Sequence, residues 1–168
     1  MPNLYQISSV PAFQDALKAV LQTRPNLSGV SISIGPPAPG IAQESKWISL
    51  LEVTGQEAWA AMGRLSVEET YNQKVCISVV ARDGESDAVN TRNIAYNLRS
   101  EIAEQLRIDA TIGGAVWQAQ IRGKVEFFPR LGIQSADATD YNKMVTDMSY
   151  REACLYFDIF VRNRMLHN

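Results

Sequence analysis

This sequence predicts an α+β domain: a five-stranded, mainly antiparallel sheet with two helices packed on one face. Three observations carry the prediction. The segment VEETYNQKVCISVVAR, 67–82, puts Tyr71, Val75, Ile77, Val79 and Ala81 on alternate positions, and Glu68, Thr70, Asn72, Lys74, Ser78 and Arg82 fill most of the others. Period two is the mark of a half-buried strand. Downstream, Ile94, Leu98, Ile102 and Leu106 recur every four residues, the stripe of a helix with one buried face. The whole chain then reads helix, three strands, helix, two strands, without an internal repeat or a linker. Such a sheet needs one face covered, and two amphipathic helices suffice.

Each element has its own warrant. Ser9 before Val10-Pro11 starts a helix, Phe13, Leu17, Val20 and Leu21 form its stripe, and Pro25 stops it. GVSISIG alternates through Val30, Ile32 and Ile34 as a short first strand. The cluster Gly35-Pro36-Pro37-Ala38-Pro39-Gly40 cannot continue a sheet, so 35–45 reads as a loop. KWISLLEVTG is the second strand, with Trp47, Leu51 and Val53 on the face of Ser49 and Ile48 and Leu50 opposite. QEAWAAMGRLS spaces Trp59 and Met62 by three among good helix formers. It reads as one helical turn or an irregular excursion, because propensity differences of tenths of a kcal/mol do not decide. After the third strand, Asp83-Gly84 supplies turn chemistry, and Ser86 or Asp87 can cap the central helix.

AVWQAQIRGKVEFFP is a long fourth strand, with Trp117, Ala119, Ile121, Val125 and Phe127 pointing one way, and Pro129 ends it. Residues 130–149 have no sustained period and carry Asp137, Asp140 and Asp147. They read as a long loop, and long loops in compact domains are usually functional or mobile. REACLYFDIFVRNR sets Ala153, Leu155, Phe157, Ile159 and Val161 on one face of a fifth strand, after which the last few residues are expected to fray.

Composition narrows the function classes. At 168 residues one domain is expected, able to bury roughly two-thirds of its unfolded surface. A net charge of −2 and a pI of about 5.4 lack the basic stripe that neutralises phosphates. Cys76 and Cys154 fall in predicted strands, without the spacing of a zinc knuckle or redox motif, and are expected as reduced thiols. The segment MPNLYQISSVPAFQ lacks the basic and apolar regions of a signal peptide. The apolar stretches fall far short of the ~20 residues that span a bilayer. A soluble chain made in a cytoplasm, with no membrane partner, is expected.

Chemistry finds little material. Gly35 to Gly40 has the outer spacing of a phosphate loop, but Ile41-Ala42 stands where Lys and Ser/Thr must grip phosphate and magnesium. The only histidine is His167, near the end of the sequence, which leaves imidazole catalysis without a group. Adjacent strand residues Glu68 and Glu69 point to opposite faces and cannot act as a simple carboxylate pair; solvated charges are expected there. Asp137, Asp140 and Asp147 lack the rhythm and central glycine of a calcium loop. No serine or threonine sits in a nucleophile elbow. No catalytic residue, cofactor or metal site is expected.

One feature exceeds ordinary surface scatter. The sheet face away from the helices mixes Cys76, Val80, Phe128, Cys154, Tyr156 and Phe160 with Lys74, Arg122, Asp158 and Arg162. A free monomer would leave this face wet. Aromatic residues and arginine are what interface centres favour, so Tyr156, Phe160, Arg162 and Arg122 are the candidate subunit interface.

With these elements in order, the chain resembles the lambda-type tail terminator, or tail completion, proteins of long-tailed bacteriophages. The resemblance rests on the N-terminal helix, the strand pair split by a Gly/Pro loop, EETYNQKVCISVVARDGES feeding a helix, TIGGAVWQAQIRGKVEFFP, and the closing REACLYFDIFVRNR. It covers nearly the whole chain in the order and character of its elements, with no signature motif. It implies a non-enzymatic subunit of the virion tail, assembled in the host cytoplasm into a six-fold ring. That ring caps the head-proximal end of the tail tube, ends tube polymerisation and meets the head connector. DNA passes through its channel without specific binding.

Under that resemblance, the loops 35–44 and 130–148 are candidates for docking the tube and connector, through Pro36, Pro37, Pro39, Arg130, Tyr141 and Lys143. Glu126, Asp137 and Asp140 are candidates for lining the channel. The rival readings are another phage neck or adaptor protein and a small-ligand enzyme. An enzyme predicts a convergent polar pocket, whereas a ring predicts flat, complementary edges.

Overall fold

The computed structural model describes residues 8–36, 45–61, 66–82, 88–132 and 150–166. Helix α1 is Val10–Gln22, followed by a 3-10 turn at Pro25–Leu27. Strands β1 (Ser31–Ile34), β2 (Lys46–Ala61) and β3 (Ser66–Arg82) lead to α2 (Ala88–Ile108), and β4 (Gln118–Gly132) and β5 (Tyr150–Leu166) close the chain. The fold is α+β. Its five strands run in the order β1-β2-β3-β5-β4. β1 lies parallel to β2 and every other pair is antiparallel.

One buried cluster holds the fold together. It takes Phe13, Leu17 and Leu21 from α1, and Ala95, Leu98, Ile102 and Leu106 from α2. From the strands it takes Ile48 and Leu50, then Tyr71, Val75, Ile77 and Val79, then Leu155, Phe157, Ile159 and Val161. Phe13 meets Tyr71 edge-on with ring centres 6.0 Å apart, and the Arg99 guanidinium lies 5.5 Å over Phe157. Burying a large aliphatic side chain contributes roughly 1.5–3 kcal/mol, so the alternating core residues of β3 and β5 contribute strongly to the sheet's stability. Arg24 clamps the turn after α1 to α2 by an ion pair to Glu101 of 2.6 Å.

The structure corrects several expectations. QEAWAAMGRLS is no excursion: β2 runs on to Ala61 and β3 begins at Ser66, with Glu57 opposite Glu69 and Trp59 opposite Val67. Cross-strand pairing to β3, itself paired to β5 as far as Ser66 and Leu166, overrides the helix propensity of the alanines. The same pairing carries β5 to Leu166, and the last two residues, where fraying was expected, lie outside the described residues. Pro129 does not end β4, which continues to Gly132. β4 is an edge strand, where a residue without an N–H is tolerated. The loop expected from Arg130 therefore starts in a strand, with Arg130 opposite Glu152.

β2 and β4 bulge at one level. Leu51 and Glu52 stand opposite the single Lys74, between the pairs Leu50–Val75 and Val53–Gln73. Arg122, Gly123 and Lys124 stand opposite the single Asp158, between Ile121–Ile159 and Val125–Phe157. Gly123 takes a φ of +95° there, a conformation that favours glycine. The β2 bulge reverses the facing of later residues, so Val53 packs toward the core instead of sharing the face of Ser49. The fully buried Gln73 stabilises this bulge: its Nε2 donates to the Leu51 carbonyl at 2.9 Å, and its Oε1 accepts from Gln14 at 2.7 Å.

Glu69 is also a correction, being buried rather than solvated. Its carboxylate accepts from the Ser8 hydroxyl, from the Ser9 N–H at 2.9 Å and from the Ser9 hydroxyl at 2.6 Å. A carboxylate at the start of a helix meets unpaired amides and the positive end of the helix dipole, so Glu69 ties α1 to the sheet. Burial pushes the neighbouring Tyr71 hydroxyl above its ordinary range.

Candidate assembly interface

The two bulges divide the sheet face opposite the core cluster into halves. Below them, Ser49, Cys76, Ser78, Val80 and Cys154 are all buried. The expectation of a wholly wet face therefore fails in this half. The side chains are small and lie in register beside Trp47, Tyr156 and Phe128. Ser78 donates to Glu152 at 2.5 Å. Neither Cys76 nor Cys154 is in a disulfide and both are buried, and hydrogen bonding to Cys76, then burial, push the Cys154 thiol well above its usual range. A thiol held protonated is a poor nucleophile.

Above the bulges the face is polar and rich in cation–aromatic stacks. Arg122 lies 5.2 Å over Phe160. Arg162 lies 4.8 Å over Trp117, and Arg164 approaches the same ring at 6.0 Å. Arg162 also donates to Glu68, and this bond holds the Glu68 carboxyl below the usual carboxylate range. Stacks of this kind are each worth roughly 0.5–1 kcal/mol when exposed, enough to orient the guanidinium groups without burying them.

The candidate residues separate clearly. Tyr156, Phe160 and Arg162 are partly buried and Arg122 is exposed, and alternation along β5 puts Tyr156, Phe160 and Arg162 on the face opposite Leu155, Phe157 and Ile159. Tyr156 meets Phe128 edge-on at 5.7 Å. Glu126 is exposed on β4 opposite Tyr156. Pro36 is exposed just after β1. Pro37, Pro39, Asp137, Asp140, Tyr141 and Lys143 lie outside the described residues, as do the expected caps Ser86 and Asp87 and the turn at Asp83-Gly84.

Trp117 was missed. Its parity with Ala119 and Ile121 assigns it to the core, yet it is 52% exposed, because it sits in the bend before β4 begins. Val125 is likewise 37% exposed, beside the bulge. The readable signal for Trp117 is Arg162 and Arg164, two apart on β5 and therefore on one face.

Two shallow depressions flank the upper part of the β2–β3 hairpin. One, of about 420 Å³, is lined by Val10, Val53, Glu57, Glu69 and Tyr71 among others. The other, of about 300 Å³, lies among Thr54, Gln56, Thr70, Asn72 and Phe160. Both include Gly55, where a Cβ would come within 2.4 Å of the Tyr71 Cβ. Among the described residues no group of three or more His, Cys, Asp or Glu could hold a metal ion, and no helix is long and apolar enough to cross a membrane. No protein-family model matches the chain, and no curated protein matches it.

Proposed function

We propose that this chain is a structural subunit of a phage tail, of the terminator type. It closes into a six-fold ring on the head-proximal end of the tail tube, ends tube growth and presents a surface to the head connector. The observation that carries the reading is the upper half of the sheet face, where Phe160 and Trp117 are stacked under Arg122, Arg162 and Arg164. Aromatic and arginine side chains already oriented by mutual stacking lose little entropy on docking and are the usual anchors of protein interfaces. The resemblance of the order of elements to the terminator proteins supports assigning that interface to a tail ring.

A terminator needs one face complementary to the tube end and another that cannot accept a further tube subunit. Mixed-sign surfaces suit that selection, because electrostatic complementarity tunes partner choice and encounter rate more than affinity. An exposed carboxylate such as Glu126, if turned to the channel, repels passing phosphates and keeps DNA from adhering. Deleting the protein from its phage is expected to give overlong or unattached tails beside filled heads. Tails of normal length joined to heads would overturn the reading.

A further inference from the structure

The level at which β2 and β4 bulge carries an alternating row of charge across the sheet. Arg122 and Lys124 stand at the β4 edge, opposite Asp158. Asp158 is in register with Lys74, and Lys74 pairs with Glu52 at 3.0 Å on the β2 edge. The row reads plus, minus, plus, minus. Bonding to Glu52, with added attraction from Asp158 and Glu126, holds Lys74 protonated above its usual range. The two ends are unlike. In LEVTGQEAWAA, 51–61, the charges are Glu52 and Glu57, while in QAQIRGK, 118–124, they are Arg122 and Lys124. Glu52 and Glu57 are exposed, as are Arg122 and Lys124.

Above this level both edges are open. β1 pairs with β2 only at Trp47–Leu50, which leaves the edge of β2 beyond the bulge without a strand neighbour among the described residues. β4 is the last strand on the other side. A row four residues higher runs from Gln56 through Thr70 and Arg162 to Gln118, with Trp117 protruding beside Gln118 and the Gly55 depression beside Gln56. From β2 to β4 the strand directions alternate, so β4 of one copy set beside β2 of another preserves the antiparallel order.

We infer that copies of this chain dock side by side, the β4 edge of one against the upper β2 edge of the next. Arg122 then meets Glu52 of the neighbour and continues the charge row, and Trp117 faces the depression at Gly55. The occupant is a second copy because over the segments 51–61 and 118–124 each edge carries the charge the other lacks, Glu126 and Lys46 lying below them. The contact is head-to-tail, so it repeats, and it closes into a ring when the rotation between neighbours divides a full turn. The inference rests on the self-assembling reading above and adds which surfaces meet.

Charge swaps and cross-linking test it on the full chain. Arg122→Glu and Glu52→Arg should each weaken self-association in sedimentation by roughly tenfold or more, and combining both in one chain should restore it. A chain carrying both Gln56→Cys and Gln118→Cys should give a ladder of covalent oligomers with a short bismaleimide, while each single variant gives none. Circular dichroism matching the wild type keeps misfolding from imitating the result. Cross-linking by a single variant, assembly indifferent to the swaps, or a chain monomeric at every concentration would each overturn the inference. A ring that forms by these edges yet does not stop tube growth overturns the terminator reading alone.

Discussion

The two halves of the face opposite the core cluster are made by the same strands and end differently. Below the bulges, β3 and β5 place Cys76, Ser78 and Cys154 there, all buried. Above them, β5 and its neighbours place Phe160, Arg162 and Arg164, with exposed Arg122 and half-exposed Trp117 alongside. The difference teaches that alternation fixes which way a side chain points but not whether it meets solvent. Side-chain size and the neighbours across the ladder decide that. The lower half buries small side chains; the upper half keeps large, oriented side chains at the surface, where the proposed assembly would use them.

Truncation on the core side of the same strands has the largest expected effect. Ile77→Ala, at a fully buried position, should cost about 3 kcal/mol of folding stability through lost burial and a cavity, read as a lower urea midpoint. An effect under about 1 kcal/mol would mean the site collapses around the gap. Phe160→Asp, in the upper half, sharpens the contrast. Folding stability should change little, while association should weaken by about 2 kcal/mol or more, the usual worth of a central interface aromatic. Loss of folding instead would move Phe160 from the interface to the core.

Between these lies Glu69→Ala, which leaves the buried Ser9 N–H and hydroxyl without their acceptor. It should cost roughly 1–3 kcal/mol, with hydrogen exchange rising first at the start of α1. The smallest effect is a pH dependence at the clamp between α1 and α2. Arg24, and then Asn26, hold the Glu101 carboxyl below its usual value by hydrogen bonding. The folded state is therefore favoured above the unfolded carboxylate range, and this contribution fades as pH falls through the lowered folded value. Glu101→Gln should lower the urea midpoint slightly at pH 7 and leave it unchanged near pH 2; equal losses at both would point to packing instead.

Much of this fold was legible. Ile94, Leu98, Ile102 and Leu106 marked α2, the alternation from Tyr71 to Val79 marked β3, and the sheet came out antiparallel but for β1. What escaped depends on partners distant in sequence. No local pattern in QEAWAAMGRLS reveals that β3 and β5 extend beside it, or that two residues will face Lys74 and reverse the facing of Val53. Glu69 reads as a surface charge because the serines that bury it lie about sixty residues upstream. The facing of the candidate interface residues Tyr156, Phe160 and Arg162 was readable from the parity of β5. Trp117 was not, because its exposure is set by where β4 starts.

Electron microscopy of the purified chain in negative stain, beside Phe160→Asp, tests the central claim most directly. The account predicts closed rings with a central opening for the wild type and single subunits for the variant. A wild-type field of single subunits, or rings that persist unchanged in Phe160→Asp, would contradict it.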